Sequence, residues 1–193
     1  HGDDLVETVL MRIVRGSSLS GYGGFKAIVD AGDYKIVRPL IHFTKEELKQ
    51  YNIENNVKFY IDSSNEKDKY TRNRYRKYIL PFLREEDKNV HLKFLKYSES
   101  LIDACRFIDT ITKKEKERVL VDGKINIDLF LELDGFIQKE ILYLLLNEFY
   151  QDDLILVCEK HINLILNLIR SKKSNATLNL PNNVIAKKNY NLF

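Results

Sequence analysis

The glycines are spread very unevenly along this chain, and that distribution constrains the fold more than any other feature. Only Gly123 and Gly135 occur beyond residue 32, whereas six glycines lie up to that point: Gly2, Gly16, Gly21, Gly23, Gly24 and Gly32. Glycine-rich turns between short elements are typical of α/β units, and a glycine-poor stretch favours long helices. The chain is therefore predicted to join two kinds of architecture near residue 40. Its 193 residues suffice for one domain, or two small ones, with a real core.

The composition excludes several classes of protein. Hydrophobic residues make up 44% of the chain and charged residues 31%, which excludes wholesale disorder. Unbroken apolar stretches such as residues 154–158 are no longer than six residues, far shorter than the ~20 residues of a membrane-spanning helix, so no membrane partner is expected. Cys105 and Cys158 form neither a disulfide framework nor a CxxC metal motif. A reducing, cytoplasmic location is predicted.

Periodicity and capping signals predict the elements of the first half. A helix is expected over residues 4–15, with Asp3 or Asp4 as its cap and Gly16 as its stop. The elements that follow are a loop over residues 16–33, a strand from Tyr34 to Val37, a helix from the capping box Thr44-Lys-Glu-Glu47 to about Asn55, a strand over Val57–Ile61, and a basic helix over Thr71–Leu83 that Pro81 kinks or ends.

The second half is predicted to be a helical bundle that ends in a small β-hairpin. Helices are expected at about residues 89–116, 135–150 and 153–171, with a hairpin around Asp122-Gly123 and an exposed hairpin over residues 176–193. Both cysteines are expected to be buried in helices. The core positions expected in the first of these helices are Leu92, Leu95, Leu101, Ile102, Cys105 and Ile108.

An acidic cluster, His1-Gly-Asp-Asp4-Leu-Val-Glu7-Thr8, opens the first helix. Two carboxylates at a helix start and a third one turn later converge on one point. Such a group could hold Mg²⁺, which prefers carboxylate oxygens, or an ammonium group. A helix cap with acidic residues in its first turn explains the same pattern without any ligand. Both interpretations stay open on spacing alone.

A basic cluster lies between Lys67 and Arg84, where seven basic residues accompany the single acid Asp68. This local charge of +6 exceeds the +3 of the whole chain. Arg72 and Arg76 are four residues apart and share a helix face, and the planar arginine fork suits phosphate or carboxylate. Interleaved tyrosines offer stacking surfaces for bases. A solvated basic helix is the alternative.

Together these segments resemble the tRNA(Ile)-lysidine synthetase family of the PP-loop ATPase superfamily. Five motifs occur in the family's order, and they extend from residue 1 to about residue 185. Residues 1–17 resemble HxxDDxxET…R…RG, Arg38-Pro39-Leu40 resembles RPL, Asp62-Ser-Ser-Asn65 resembles DxSN, Arg72-Asn73-x-x-Arg76 with Leu80-Pro81 resembles RNxxR…P, and Leu178-Asn-Leu-Pro181 resembles LDLP.

The resemblance implies a mainly α chain in three segments. Residues 1–42 would be the tail of an α/β catalytic domain of the PP-loop, adenine nucleotide α-hydrolase-like kind. Residues 43–85 would be a connecting segment with the DxSN and RNxxR motifs. Residues 86–193 would be a helical tRNA-recognition domain, in which the basic runs at 113–118, 170–173 and 187–188 are either phosphate contacts or solvated surface.

The resemblance also implies a ligase that uses ATP and Mg²⁺ to attach L-lysine to the wobble cytidine of tRNA(Ile). Adenylation of the cytidine C2 oxygen would precede attack by the lysine amine. Asp4 and Glu7 would hold the lysine, or Mg²⁺ at Asp4, with His1 and Asp3 beside them. Arg72, Asn73 and Arg76 would orient substrates and neutralise phosphate. Arg74, at a variable position of the motif, and Arg38 would be further substrate-binding residues. A structural role explains Arg38 equally well.

Two departures from the family pattern limit what the chain is expected to do alone. The family's Ser-Gly-Gly-x-Asp-Ser loop for ATP is not in this sequence and is expected upstream, and Ser18 stands where the family often has glycine. The chain is therefore predicted to be the back part of the enzyme and inactive by itself. We also expect a homodimer, because the apolar face of the first helix would be exposed.

Two other classes of function compete with this assignment. One is a non-catalytic RNA-binding module derived from such an enzyme. The other is a metal-dependent hydrolase built on His1, Asp3, Asp4 and Glu7, which is weaker because no further His-Asp pair supplies the remaining ligands.

Overall fold

The computed structural model describes residues 1–60, 70–151 and 158–193. These residues form two compact units, His1–Cys105 and Arg106–Phe193. The predicted boundaries near residues 42 and 85 remain predictions. The DxSN match at residues 62–65 and residues 153–157 of a predicted helix lie outside the described residues.

The first unit is mainly helical and contains one two-stranded sheet. Strands β1 and β2 pair antiparallel, with Val29 opposite Ile36. In chain order, its elements are α1 (Gly2–Arg15), α2 (Leu19–Tyr22), β1 (Ile28–Asp30), β2 (Lys35–Val37), α3 (Lys45–Glu54), α4 (Thr71–Arg74), a π-helical turn (Tyr75–Ile79), α5 (Leu80–Glu86) and α6 (Val90–Val119), which runs on into the second unit.

Three sequence predictions for this unit are wrong in detail. Helix α1 begins at Gly2 with His1 as its N-cap, and neither Asp3 nor Asp4 caps it, because the Asp3 carboxylate is bonded to distant parts of the chain. The predicted loop over 16–33 contains α2 and also β1, which pairs with β2. Residues 57–60 are irregular and do not form a strand.

Pro81 neither ends nor breaks the basic helix. The helical run continues from Thr71 to Glu86, and the π-helical turn precedes Pro81, which stands at the start of α5. A proline lacks a backbone N–H and crowds the preceding turn, so a wider turn just before it relieves that conflict. The helix therefore extends far enough to include Arg84.

The core of the first unit forms around the N-terminal half of α1. Leu5 and Val9 are fully buried against Ile41 and Leu95. The apolar stripe does not stay buried, since Ile13 and Val14 near the end of α1 are exposed. The core prediction for α6 holds at Leu95 and is wrong at Leu92, which is exposed.

Gly24 permits a close approach of the loop after α2 to this core. Its φ is +73°, and a Cβ there would lie 2.7 Å from Leu5 Cδ1 and 3.0 Å from Val9 Cγ2. Gly32 has a similar φ of +83° with no neighbour within 4 Å of such a Cβ. Gly24→Ala should therefore lower the free energy of unfolding by about 2 kcal/mol or more, and Gly32→Ala by about 1 kcal/mol, because only the first also overpacks the core. Urea unfolding of both variants checks this, and equal losses would contradict the packing argument.

The predicted capping box of α3 is confirmed. Glu47 N donates to Thr44 Oγ1 at 3.1 Å, and Glu47 Oε2 accepts from Thr44 N at 2.7 Å. These hydrogen bonds from Thr44 lower the pKa of the Glu47 carboxyl. A lowered folded-state pKa means that the ionised carboxylate stabilises the fold above the unfolded value near 4.5, and that this stabilisation is lost as the pH falls through the folded-state pKa.

Glu47→Gln should therefore lower the free energy of unfolding by about 0.5–1 kcal/mol at pH 7. The difference in unfolding free energy between the variant and the unsubstituted protein should disappear as the pH drops below 4. Denaturant unfolding at pH 7 and at acid pH checks this, with the neighbouring Glu46→Gln as the control. A gap that stays constant with pH would contradict the assignment.

The second unit packs helices against two β-hairpins. The hairpin between β3 (Leu120–Val121) and β4 (Lys124–Ile125) turns at Asp122 and Gly123, both with positive φ, as predicted. The remaining elements are α7 (Ile127–Leu131), α8 (Gly135–Tyr150), α9 (Glu159–Arg170), β5 (Asn175–Asn179) and β6 (Ile185–Asn189). Strands β5 and β6 form the predicted terminal hairpin, with Thr177 opposite Lys187.

Helices α8 and α9 supply much of the core of this unit. Their buried residues include Ile141 and Ile165, and they surround Phe130 of α7. Cys158, predicted to be buried, is exposed because it is the N-cap of α9. None of the helices in the described part of the chain is long and apolar enough to cross a membrane.

Candidate functional site

Three acidic residues of α1 meet arginines of the helical run 71–86. Asp3, Asp4 and Glu7 lie on the first two turns of α1. Arg76 lies in the π-helical turn and Arg84 in α5, two turns further on. The i, i+4 spacing places Asp3 and Glu7 on one helix face, so a single helical run can contact both. The acidic and basic clusters of the sequence thus neutralise each other.

Glu7 is the centre of this cluster and is only 1% exposed. Arg76 donates to it in a bidentate pair, with Nε–Oε1 at 2.7 Å and Nη2–Oε2 at 3.0 Å. Arg72 Nε lies 3.4 Å from Oε2, and its Nη2 donates to Thr8 Oγ1 at 2.9 Å. Burial raises the pKa of the Glu7 carboxyl, and the hydrogen bonds from Arg76 oppose that rise. The same hydrogen bonds raise the pKa of the Arg76 guanidinium, which therefore stays charged.

Asp3 joins three distant segments of the first unit and is also 1% exposed. Its Oδ2 accepts from the backbone N–H of Lys45 and from Arg84 Nη2, both at 2.7 Å. Its other oxygen, Oδ1, is buried and has no hydrogen-bond partner among the described residues. A buried carboxylate oxygen without a partner is costly, so it points to a donor that the described residues do not supply.

Asp4 is the accessible carboxylate of the cluster, at 34% exposure. Its Oδ1 lies 3.3 Å from Arg76 Nη2, and its Oδ2 lies 3.4 Å from His1 Nε2. His1 Nδ1 lies 3.7 Å from Asp3 Oδ2. Asp4 is therefore the carboxylate of the three that an external cation reaches most easily.

A cavity of about 500 Å³ lies beside the cluster. Asp3, Arg76 and Arg84 line it on the side of the cluster. Its lining also includes polar groups of α3, among them Lys49 and Asn52, and the aromatic residues Phe59 and Tyr60. The cavity thus offers charges of both signs together with an apolar wall, which suits a small polar ligand.

The other predicted site residues lie around this cluster or away from it. Asn73 is half-buried on α4, and Arg74 is exposed and donates to Thr71 of the same helix. Arg38 stabilises the β1–β2 region, since it donates to the Lys26 carbonyl at 3.0 Å and lies 4.7 Å from the Phe25 ring centre. The structure thus favours a structural role for Arg38.

Sequence reasoning missed the contacts of two arginines. The sequence marks Arg84 only as a basic residue, although its spacing of eight from Arg76 is a usable signal. Arg12, which matches the first arginine of the HxxDDxxET…R…RG motif, donates to the carbonyls of Gly21 and Gly24 at 2.7 and 2.6 Å and holds the loop after α1. Backbone carbonyls leave no side-chain pattern, so nothing in the sequence indicates which groups Arg12 binds.

The described residues do not fit the predicted Mg²⁺ at Asp4. Across residues 1–60, 70–151 and 158–193, no group of three or more His, Cys, Asp or Glu side chains could hold a metal ion. Arginines bind Asp3 and Glu7, so Asp4 is the one accessible carboxylate of the three and no second one stands beside it as a ligand. This arrangement disfavours the metal-dependent hydrolase.

Comparison with known proteins identifies the class of the first unit. Residues 1–83 match the family model of the PP-loop domain. That stretch contains Asp3, Asp4, Glu7, Arg72 and Arg76, and Arg84 lies one residue beyond it. The first unit therefore carries a PP-loop domain.

The whole chain has more specific relatives. It is 35% identical to the tRNA(Ile)-lysidine synthase of Bacillus subtilis strain 168 over 98% of this chain and 41% of that protein. The same enzyme of Geobacillus kaustophilus is 34% identical, over 98% of this chain and 42% of the relative. The Bifunctional protein TilS/HprT of Listeria monocytogenes is 32% identical, over 98% and 30%. The chain is thus similar over nearly its whole length to tRNA(Ile)-lysidine synthases, and it spans about two fifths or less of the length of these relatives.

Proposed function

We propose that this chain is part of a ligase that attaches lysine to the wobble cytidine of tRNA(Ile) with ATP as the co-substrate. Similarity to these enzymes supports the reaction class. The observation that carries the proposal is the carboxylate cluster of α1 beside a cavity large enough for an amino acid. In this cluster Asp4 is accessible, and Asp3 Oδ1 has no hydrogen-bond partner among the described residues.

The lysine substrate carries two ammonium groups and one carboxylate. Asp4 would bind an ammonium group, and Asp3 Oδ1 would accept a hydrogen bond from a donor that reaches into the cluster. Lys49 of α3, which also lines the cavity, would favour the carboxylate of the substrate. These contacts would bind lysine and orient its reactive amine.

In the reaction the cytidine C2 oxygen attacks the α-phosphate of ATP, which adenylates that oxygen and releases pyrophosphate. The lysine ε-ammonium group gives a proton to solvent, and the resulting amine attacks C2, breaks the C2–oxygen bond and displaces AMP. Arg72, the most exposed arginine bonded to Glu7, would neutralise phosphate charge, while Arg76 holds Glu7 and positions Asp4. No step is assigned to Mg²⁺, because the described carboxylates do not form a site for it.

Asp4→Asn in the protein expressed from its complete gene tests this function. The substitution removes a negative charge with little change in shape, so KM for lysine should rise about tenfold or more, while binding of tRNA stays unchanged. The measurement is lysine-dependent formation of modified tRNA(Ile). Asp33→Asn, which removes an exposed acid near the β1–β2 turn, is the matched control.

A non-catalytic RNA-binding module is the alternative that this experiment separates. If the complete protein binds tRNA but makes no lysidine under any condition, the alternative replaces the proposal. A normal lysine KM and normal turnover in Asp4→Asn would show that Asp4 does not bind lysine and is only an acidic residue of the first turn of α1.

A further inference from the structure

Two donors converge on one oxygen of the Asp3 carboxylate. Asp3 Oδ2 accepts from the backbone N–H of Lys45 and from Arg84 Nη2, each at 2.7 Å. The other oxygen, Oδ1, is buried and accepts from no donor among the described residues. Buried carboxylate oxygens are normally hydrogen-bonded, so two donors on one oxygen and none on the other is an uneven use of a group that is only 1% exposed.

The neighbouring ion pair in the same unit has both carboxylate oxygens bonded. Arg76 donates to the two oxygens of Glu7 at 2.7 and 3.0 Å. A guanidinium fork matches a carboxylate in this bidentate way, which gives the strongest contact between the two groups. Arg84 instead donates to Asp3 through Nη2 and Oδ2 alone among the described contacts. This contact fixes the carboxylate and leaves Oδ1 able to accept another donor.

The π-helical turn places Arg84 where it can reach Asp3. Two turns of an α-helix take about 7.2 residues, so the eighth residue after Arg76 would lie about 80° further around a regular helix. A π-helical turn takes up an extra residue, and the turn over Tyr75–Ile79 covers the start of this interval. Arg76, Leu80 and Arg84 accordingly line the same cavity. The turn thus aligns Arg84 with Arg76 on one face of the helical run.

Arg84 and Asp3 both line the cavity that receives the substrate under the proposed function. The Arg84 side chain is 31% exposed, whereas Asp3 is buried. An ammonium group in the cavity is attracted by the carboxylate of Asp3 and repelled by the guanidinium of Arg84. Any help that Arg84 gives to the binding of an ammonium group must therefore act through the position of Asp3.

We propose that Arg84 is a positioning residue of the substrate site: it holds Asp3 through Oδ2, so that Oδ1 accepts a hydrogen bond from an ammonium group of the substrate. This inference rests on the proposed function, in which that substrate is lysine. The hydrogen bond to Oδ1 forms when lysine binds and persists in the transition state. Such a contact contributes to substrate affinity and leaves the rate of the chemical step unchanged.

Lysidine formation by the protein expressed from its complete gene tests this role. Arg84→Gln should raise KM for lysine about fivefold or more and leave kcat within about twofold. Arg84→Lys should stay within about threefold of the unsubstituted KM, because one ammonium donor can replace a contact that uses a single nitrogen. Lys93→Gln is the matched control: it removes a positive charge bonded to another aspartate, Asp87, in the same unit and should leave KM unchanged.

A lysine analogue separates this role from direct binding of the substrate carboxylate by Arg84. Cadaverine keeps both ammonium groups of lysine and lacks the carboxylate. Its inhibition constant in competition with lysine should therefore rise in Arg84→Gln by about the same factor as KM. An inhibition constant that stays unchanged while KM rises would overturn the proposal in favour of direct binding of the carboxylate.

A double-mutant cycle with Asp3→Asn shows whether Arg84 acts through Asp3. In the Asp3→Asn background, Arg84→Gln should change KM by less than about twofold, because the carboxylate that Arg84 holds is already gone. The double variant leaves neither charge without its partner, so this comparison serves even where Arg84→Gln alone does not fold. Effects of the two substitutions that multiply, or an Arg84→Lys protein as impaired as Arg84→Gln, would overturn the proposal.

Failure of this inference is distinguishable from failure of the proposed function. An unsubstituted protein that forms no lysidine would contradict both. If that protein forms lysidine while Arg84→Gln has an unchanged KM for lysine, only the role of Arg84 is overturned.

Discussion

Replacement of Arg76 by alanine should lower the free energy of unfolding by about 3 kcal/mol at pH 7.5. The substitution removes both hydrogen bonds to the Glu7 carboxylate and leaves that buried group with only the more distant Arg72. Loss of one partner of a buried ion pair is costly because the other charge stays out of water without compensation. Part of the Arg76 side chain is exposed, which places the expected loss at the lower end of the range for such pairs.

The loss in Arg76→Ala should shrink as the pH is lowered. Without Arg76 the pKa of the Glu7 carboxyl should rise further, because burial already raises it and the opposing hydrogen bonds are gone. With a raised folded-state pKa, Glu7 binds a proton at a higher pH in the folded protein than in the unfolded one. The variant therefore gains stability relative to the unsubstituted protein as the pH falls toward 5. Urea unfolding at pH 7.5 and pH 5 measures both effects.

Arg74→Ala is the matched control, because Arg74 lies two residues away, is exposed and donates to Thr71 of its own helix. Its loss should stay within about 0.5 kcal/mol. The double variant Glu7→Gln/Arg76→Gln should cost less than the sum of the single changes, since neither charge is then left alone. A loss below 1 kcal/mol in Arg76→Ala would show that the ion pair contributes little to the fold.

Phe130→Ala should destabilise the second unit by about 3–5 kcal/mol. Phe130 is 0% exposed on the short helix α7, where it belongs to the core cluster formed with α8 and α9. Its removal leaves a cavity in this core. Helix α7 has only five residues and is joined to the β3–β4 hairpin at one end and to α8 at the other, so it cannot fill the cavity by a small shift. Thermal and denaturant unfolding, followed by circular dichroism, measure the loss.

Phe107→Ala tests the same chemical change on a surface. Phe107 lies on α6 in the same unit and is largely exposed. Its replacement should change the free energy of unfolding by less than about 1 kcal/mol, because little apolar area leaves the core. Comparable losses at the two positions would contradict the assignment of Phe130 to the core of this unit.

Local signals predicted elements well wherever the causes were local. The Thr44–Glu47 capping box, the stop at Gly16 and the Asp122-Gly123 turn all depend on residues within one turn of each other, and the structure confirms each of them. The mainly helical character and the terminal hairpin follow from the same kind of signal. Periodicity also identified Leu95 as a core residue.

Failures occurred where long-range contacts decide the outcome. Asp3 looks like a helix cap in sequence, but its partners are 42 and 81 residues away. Lys187 and Lys188 look alike, and only the pairing register of β5 and β6 separates the exposed ammonium group from the buried one. The π-helical turn before Pro81 depends on how the whole helical run is accommodated, which no short window of sequence contains.

The candidate site shows the same division. Motif resemblance selected Asp3, Asp4, Glu7, Arg72 and Arg76, and the structure places these residues together. Their roles toward substrates remain proposals. The motifs did not predict that the carboxylates and arginines neutralise each other, because a motif shows which residues occur and not which atoms they contact.

The long sequence separations inside the acidic cluster also bear on the order of folding. Glu7 meets Arg76 across 69 residues, and Asp3 meets Arg84 across 81. Closing such long loops costs conformational entropy before the stabilising contacts form, so contacts of this kind tend to form slowly. Within the terminal hairpin, by contrast, the paired residues are close in sequence, as Thr177 and Lys187 show. Pulse-labelling hydrogen exchange during refolding would therefore find the terminal hairpin protected before α1, with the acidic cluster among the last parts of the chain to assemble.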